Sequence, residues 1–134
     1  MSSRREARER ALSLCYELDV RGQSVDELLA DLPAPPDAYA LVLVRGVDDH
    51  REDVDAVLRK YSEHWALERM PVVDRAVLRI GCYELGWELE LPTGVVISEA
   101  VELAKQYSTK DSGRFVNGML GRIAEDLRAP ESTT

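Results

Sequence analysis

The sequence has little that would mark a secreted, membrane-spanning or disulfide-stabilised protein. Its 134 residues include two cysteines, Cys15 and Cys82, which form no CxxC pair. This spacing gives no disulfide framework and no thiolate metal site, and it favours a reducing compartment. The longest apolar run, residues 39–44, is far shorter than the roughly 20 residues that span a bilayer. No secretory signal pattern follows the arginine-rich start, so the chain is predicted to be cytoplasmic.

Motifs for catalysis and for cofactor binding are also missing. The sequence contains no HExxH motif, Gly-rich phosphate loop, nucleophile elbow or EF-hand pattern. His50 falls on an apolar stripe between Val47 and Val54, which indicates a structural histidine, and His64 lies beside Trp65 without a visible partner. We therefore predict a protein that is not an enzyme and that has no catalytic residue, no metal site and no cofactor.

An excess of positive charge is absent from the chain as a whole but present at its start. Seventeen Lys and Arg against twenty-five Asp and Glu give a net charge of −8, so any nucleic-acid contact must be local. Residues 1–10 hold four arginines against two glutamates. On a helix, Arg4, Arg5 and Arg8 project within about 100° of one another and could meet one phosphate backbone. The alternative is that these arginines are merely solvated.

What remains between the prolines is helical in pattern, which predicts an all-α fold. Ser3 with Glu6, and Ser24 with Glu27, have the form of capping boxes that start helices. Gly22 suits the end of the first helix. A 3–4 spacing of apolar residues continues from residue 37 to 61 and predicts one long helix there. The first three predicted helices cover residues 3–20, 24–32 and 37–61. A fourth begins at Pro71 and carries apolar residues as far as Leu85, a fifth begins near Thr93 and carries them as far as Tyr107, and the last covers residues 111–127.

The remaining patterns concern solvent-facing and terminal segments. The long helix carries five carboxylates within an arc of about 160°, which predicts a solvated face. They are Asp48, Asp49, Glu52, Asp53 and Asp55. Residues 62–70 are predicted to be a connection with one helical turn. We expect a single helical domain over residues 1–128 and a disordered tail over residues 129–134.

The C-terminal half contains four sequence blocks in a characteristic order. Residues 65–79 read WALERMPVVDRAVLR, residues 83–85 read YEL, residues 92–105 read PTGVVISEAVELAK, and residues 115–120 read FVNGML. With the arginines that precede Tyr16, these blocks resemble the NusB family of bacterial transcription antitermination factors. The resemblance spans nearly the whole chain. It implies a NusB-like fold of two small packed helical bundles, with about six to seven helices and a non-catalytic role.

The resemblance also implies partners. Family members bind the single-stranded boxA element of ribosomal RNA operon leaders together with NusE, a small-subunit ribosomal protein, and help RNA polymerase read through terminators. RNA polymerase and the other Nus factors would therefore be indirect partners of this chain. A homodimer is a further expectation, because an apolar surface that receives NusE could also self-associate. Self-association would then compete with NusE.

Site residues carry over from the family residue by residue. The predicted RNA-binding residues, to which Arg114 is our own addition, are Arg4, Arg5, Arg8 and Arg114. The predicted NusE-binding residues are Tyr16, Arg79 and Glu84. Arg79 and Glu84 project about 140° apart on one helix, so one of the two is also a candidate for pairing within the fold.

The last predicted helix contains residues that form helices poorly. Asn117 is predicted to be a buried hydrogen-bonding residue, and Gly118 is predicted to mark a close helix crossing. Some family members carry an acidic residue where this chain has Gly121. The loss of a carboxylate there should lower repulsion from RNA phosphates.

Two alternative functions remain at this point. The chain could be a helical protein-binding adaptor without RNA contact, which NusE binding in the absence of RNA binding would distinguish. It could also be an RNA-guiding module related to ribosomal RNA cytosine methyltransferases. That reading expects a cofactor-binding domain, and the 134 residues contain no such domain.

Overall fold

The computed structural model describes residues 3–62 and 66–128, which form seven α-helices and one 3-10 turn. The helices are α1 (Arg4–Arg21), α2 (Val25–Asp31), α3 (Ala38–Asp49), α4 (Arg51–Tyr61), α5 (Val72–Trp87), α6 (Thr93–Tyr107) and α7 (Lys110–Leu127), with the 3-10 turn at Leu67–Arg69. The described ranges contain no strand, which confirms the all-α prediction. His64, Trp65 and the predicted disordered tail at 129–134 lie outside the described residues.

Three helices begin with reciprocal side-chain caps, and two of these caps were predicted. The Ser3 hydroxyl accepts a bond from the Glu6 N–H at 3.1 Å, while the Glu6 carboxylate accepts from the Ser3 N–H at 3.0 Å. Ser24 forms the same box at the start of α2. Helix α1 ends as expected at Gly22, whose φ of 66° lies in the left-handed region that favours glycine. The third box is at Thr109, so α7 begins at residue 110, one residue before the predicted start.

The predicted helix over residues 37–61 is wrong in one respect, because it is broken at His50. Helix α3 ends at Asp49 and α4 begins at Arg51, with His50 at φ −107° and ψ 19° between them. The sequence has no proline or paired glycines at this point. The His50 ring instead stacks on Trp87 of α5 at 4.6 Å between centroids. A contact with a distant helix therefore accompanies the break, and local spacing alone could not show it.

Helix α5 lies at the centre of the molecule. It packs against α1, α3 and α4 on one side and against α6 and α7 on the other. Every residue from 76 to 85 is buried, as expected for a helix that is covered all round. Helices α1, α3 and α4 and helices α6 and α7 thus form two packed groups that both contact α5, in agreement with the predicted two-bundle fold.

At two glycines, a side chain of a neighbouring helix lies too close to the backbone to leave room for a Cβ. Neither of them is Gly118, the glycine predicted to mark a close crossing. A Cβ on Gly81 would lie 2.7 Å from Cδ1 of Leu120 in α7, and a Cβ on Gly46 of α3 would overlap the Tyr83 ring. Around Gly118, the nearest atom to an added Cβ is the guanidinium of Arg122 at 3.8 Å. The predicted close crossing at Gly118 is therefore wrong, because the crossing lies where α7 presents Leu120 to Gly81.

Candidate nucleic-acid and partner interface

The first two arginines of α1 are exposed, and each has a partner within the fold. The Arg4 guanidinium lies 3.8 Å from the centroid of the Tyr39 ring, a cation–π contact. Arg5 donates two hydrogen bonds to the Glu99 carboxylate of α6, at 3.1 and 2.7 Å. These bonds hold the pKa of Glu99 below its usual value. Both arginines stay exposed, although each already contacts a partner within the fold.

Arg8 is buried, which corrects the prediction that it lies on an accessible RNA surface. Its side chain is 4% exposed and pairs with Glu84 of α5, with Nε and Nη2 each 3.0 Å from Oε2. The Tyr39 hydroxyl also donates to Glu84. The physical reason is helical geometry, since Arg8 projects only about 60° from buried Ala11. The residues near Arg8 in the sequence could not indicate this pairing, because Glu84 lies 76 positions away.

Glu84 and Arg79, both predicted to contact a partner, are also buried. Glu84 is 1% exposed and receives bonds from Arg8 and Tyr39. Its burial raises the pKa of its carboxyl, more than Tyr39 and Arg8 lower it. In this conformation neither side chain offers a head group to a partner, so neither residue is placed for the predicted direct contact.

Arg79 belongs to a second buried cluster, between α1, α4 and α5. It donates two bonds to Asp55 at 2.9 and 3.1 Å and lies 3.5 Å from Asp19. Arg75 pairs with the same Asp19 at 2.8 Å. The prediction that Asp55 belongs to the solvated acidic face is therefore wrong. Asp55 is buried and is the counter-ion of Arg79.

Tyr16 is the predicted partner residue that the structure leaves accessible. Its side chain is 44% exposed, and Val20, one turn later on the same face of α1, is 58% exposed. Aromatic and aliphatic groups exposed side by side are typical of protein contact surfaces. The geometry thus separates an accessible apolar strip on α1 from the buried charges behind it.

Arg114 lies in the first turns of α7, in an exposed basic patch. It borders a hollow between α6 and α7 that Lys105 and Lys110 also line. Asn117 lines the same hollow and is exposed, so the prediction of a buried Asn117 is wrong, because its side chain faces away from the α5–α7 contact. A Cβ at Gly121 would meet open space.

The described parts of the chain hold no candidate metal site. Residues 3–62 and 66–128 contain no group of three or more His, Cys, Asp or Glu that could hold a metal ion. Cys15 and Cys82 are buried free thiols, and burial raises the pKa of each to about 12, which keeps them protonated. Nor does any helix among the described residues have the length and apolar content to cross a membrane.

Sequence reasoning missed several residues that organise these surfaces. Tyr39 links Arg4 to Glu84, and Glu99 neutralises Arg5. Arg128, beyond the last helix, donates hydrogen bonds to backbone carbonyls of Glu84 and Glu88 at the end of α5. Each pairing joins residues more than 30 positions apart in the chain, so no local pattern marks it.

Comparisons with known proteins agree on one family. Residues 5–125 match the model of the NusB family. A protein named transcription antitermination protein NusB from Saccharopolyspora erythraea is 50% identical over 131 residues, covering 92% of this chain and 88% of that protein. The structure of T. maritima NusB is 36% identical, with a TM-score of 0.84 over 93% of this chain and 92% of that one. A crystal structure of antitermination factors NusB and NusE in complex with dsRNA matches with 32% identity and a TM-score of 0.80, over 92% and 96% of the two chains.

Proposed function

The chain belongs to the NusB family, and we propose that it is a transcription antitermination factor that binds boxA-type RNA of ribosomal RNA operon leaders together with NusE. Its role is to support read-through by RNA polymerase, without catalysis and in the cytoplasm where transcription takes place. The observation that carries this proposal is the match over 92% of the chain to a NusB bound to NusE and RNA. Other Nus factors and RNA polymerase engage the complex indirectly.

The proposed RNA surface uses the exposed arginines. Arg4, Arg5 and Arg114 have guanidinium groups that reach solvent. Arginine binds phosphate oxygens through paired N–H donors, which suits contact with an RNA backbone. Arg8 serves this surface from behind, because its pair with Glu84 fixes the start of α1 against α5.

The proposed NusE surface is built around the exposed strip of Tyr16 and Val20. Aromatic anchors in apolar surroundings supply much of the affinity of protein interfaces. Arg79 and Glu84 support this strip by holding α1 against α5, Glu84 through Arg8 and Arg79 through Asp19. Their substitution should lower NusE affinity by displacing α1.

The test is a titration of labelled boxA-like single-stranded RNA with this protein, with and without NusE. Coupling energies between two ligands typically amount to 5–150-fold, so NusE should tighten RNA binding by a factor in that range. By reciprocity, RNA should tighten NusE binding equally. A scrambled RNA of equal length controls for non-specific charge.

The Tyr16→Ala variant separates the two partners. Truncation of an interface anchor costs more than about 1 kcal/mol, so NusE affinity should fall roughly tenfold while RNA binding without NusE is unchanged. Equal RNA affinity with and without NusE would contradict the cooperative complex. Binding of NusE with no detectable RNA binding would instead support the adaptor function.

A further inference from the structure

Arg4 and Arg5 are both exposed at the start of α1, but the fold holds their guanidinium groups in different ways. Arg5 donates hydrogen bonds through Nε and Nη2 to both oxygens of the Glu99 carboxylate, which also answers its charge. Among residues 3–62 and 66–128, Arg4 makes no ion pair and no side-chain hydrogen bond. Its guanidinium carbon instead lies over the ring of Tyr39, 3.8 Å from the ring centroid.

The contact with Tyr39 leaves the hydrogen-bonding capacity of Arg4 intact. The N–H donors of a guanidinium group point outward from its planar fork, whereas an aromatic ring attracts the positive charge through its π face. Tyr39 therefore holds Arg4 without taking an N–H donor and without adding a negative charge. The Arg4 fork stays available for paired hydrogen bonds to a phosphate group.

The Tyr39 ring is itself anchored to α5. Its hydroxyl donates a hydrogen bond to the Glu84 carboxylate, which is 1% exposed and is also paired with Arg8. Burial and the bond to Glu84 raise the pKa of the Tyr39 hydroxyl above its ordinary value, so the group stays a neutral donor. The ring therefore cannot turn away from the start of α1 without breaking a bond to a buried charge.

An anchored ring restricts the conformations of the side chain that lies on it. Arginine is long and flexible, and it loses conformational entropy when a ligand orders it. Contact with Tyr39 imposes part of this order on Arg4 before a ligand arrives. A phosphate group that meets Arg4 thus meets an arginine that is already oriented and is not neutralised, in contrast to Arg5.

We infer that Tyr39 is a positioning residue for the proposed RNA surface, because its ring orients the Arg4 guanidinium toward a backbone phosphate of the RNA strand. This inference rests on the proposed RNA-binding function and deepens it. Tyr39 acts through Arg4 and does not itself touch the phosphate. Arg5 does not depend on Tyr39, because Glu99 sets its orientation.

The experiment compares Tyr39→Leu with Tyr39→Phe. Both variants lose the hydroxyl bond to Glu84 and so carry the same penalty at the buried carboxylate, but only Tyr39→Leu also loses the aromatic face. Affinity for boxA-like single-stranded RNA is measured over a range of salt concentrations. Thermal unfolding and circular dichroism check that both variants fold and keep their helix content.

The expected result is a loss of affinity without a loss of salt dependence. Tyr39→Leu should bind RNA about 2- to 12-fold more weakly than Tyr39→Phe, the factor that corresponds to ordering one flexible side chain. Its salt slope should equal that of the wild-type protein, because Arg4 keeps its charge and still reaches the phosphate. Arg4→Ala should instead lower the slope by about 0.7, the counterions released at one phosphate of a single strand.

A double-mutant cycle assigns the effect to Arg4. In an Arg4→Ala background, Tyr39→Leu and Tyr39→Phe should bind RNA equally well, because the side chain that the ring positions is gone. In an Arg5→Ala background, the difference between the Leu and Phe variants should persist in full. A difference that survives the removal of Arg4 would overturn the inference, since the ring would then act on RNA directly or through another residue.

Other outcomes separate this inference from the proposed function. Equal RNA affinities of the Leu and Phe variants, or an Arg4→Ala protein with wild-type affinity, would overturn the positioning role while RNA binding itself stands. A Leu variant whose salt slope falls as in Arg4→Ala would also overturn it, because Tyr39 would then hold the start of α1 and not the guanidinium. A wild-type protein that binds no RNA, alone or with NusE, refutes the proposed function and the inference together.

Discussion

The two flanks of α6 carry similar numbers of cations and use them differently. On the α1 side, Arg5 and Arg8 are paired with Glu99 and Glu84, and one of these pairs is buried. On the α7 side, Lys110 and Arg114 have no ion-pair partner in the described residues. The difference shows that the density of basic residues along a sequence does not tell which cations can receive a ligand. Availability depends on which carboxylates the fold brings to them.

The energetic consequences also differ between the flanks. A buried pair such as Arg8–Glu84 costs desolvation for both groups, and removal of one partner leaves an uncompensated charge inside the protein. Exposed cations contribute little to stability because water solvates them well. We therefore expect removal of the buried Arg8 to act on folding, and removal of the exposed Arg114 to act on RNA binding.

The largest expected effect is on the α1 flank. Arg8→Ala should lower the free energy of unfolding by about 3–5 kcal/mol, because Glu84 would lose the cation that compensates its burial. Denaturant unfolding measures this change. Arg114→Ala is the matched control and should stay within about 0.5 kcal/mol of the wild-type protein. An Arg8→Ala protein of wild-type stability with a reduced RNA salt slope would break the comparison, since Arg8 would then act as a surface contact.

A second change tests the α7 flank without removing any charge. A Cβ on Gly113 would lie 2.7 Å from Cγ of Lys105. Gly113→Ala should therefore displace the Lys105 stem and lower RNA affinity by about fivefold near 0.1 M salt, the value expected for one lost phosphate contact. Gly121→Ala, in the same helix with open space around the added Cβ, should leave RNA affinity unchanged. Fluorescence titration measures both. Equal affinities for the two alanine variants would mean that the position of Lys105 does not matter.

The Arg5–Glu99 pair predicts a pH dependence confined to the α1 flank. The pair lowers the pKa of Glu99 in the folded protein, so its stabilisation is complete above the ordinary glutamate pKa and is lost as pH falls through the lowered value. At pH 7 the Tm of the wild-type protein should exceed that of Arg5→Ala by about 1–4 °C. This difference should shrink as pH falls below the ordinary glutamate pKa and disappear once Glu99 is protonated in the folded protein. A Tm difference that persists at pH 2 would assign the effect of Arg5 to packing.

The smallest expected effect comes from neutralising Glu102, the exposed carboxylate that neighbours Lys105. Glu102→Gln should release Lys105 from its exposed neighbour and tighten RNA binding about twofold at low salt, with the gain fading as salt screens it. Glu125→Gln makes the same charge change at an exposed position later in α7. If both variants tighten RNA binding equally, the gain reflects net charge and not the hollow.

Much of the fold was predictable because its signals are local. The boxes at Ser3 and Ser24 and the glycine at 22 satisfy backbone groups within one turn, so their residue types alone mark the helix ends. The all-α class followed from apolar spacing. The break at His50 was not predictable, because its accompanying contact is a ring on α5, 37 positions later.

The sequence indicated which residues belong to the candidate site, but not which of them are exposed for contact and which are buried behind it. Tyr16 and Arg114 are exposed, as a contact residue must be. Arg8, Arg79 and Glu84 matched family positions and yet lie inside the structure, where they pair with one another or with Asp55. A helical projection gives the direction of a side chain but not the charge that it meets.

The sequence by itself determined the helical class, the helix ends marked by Ser3, Ser24 and Gly22, the polarised charge and the family, because these depend on neighbours within a few turns and on ordered motifs. The tertiary structure alone decided which charged side chains are buried in ion pairs within the protein. Long side chains find partners 24 to 94 positions away, as Arg79 finds Asp55 and Arg5 finds Glu99. A buried charge is stable only when such a partner and its hydrogen bonds are in place, and packing around α5 alone brings them together.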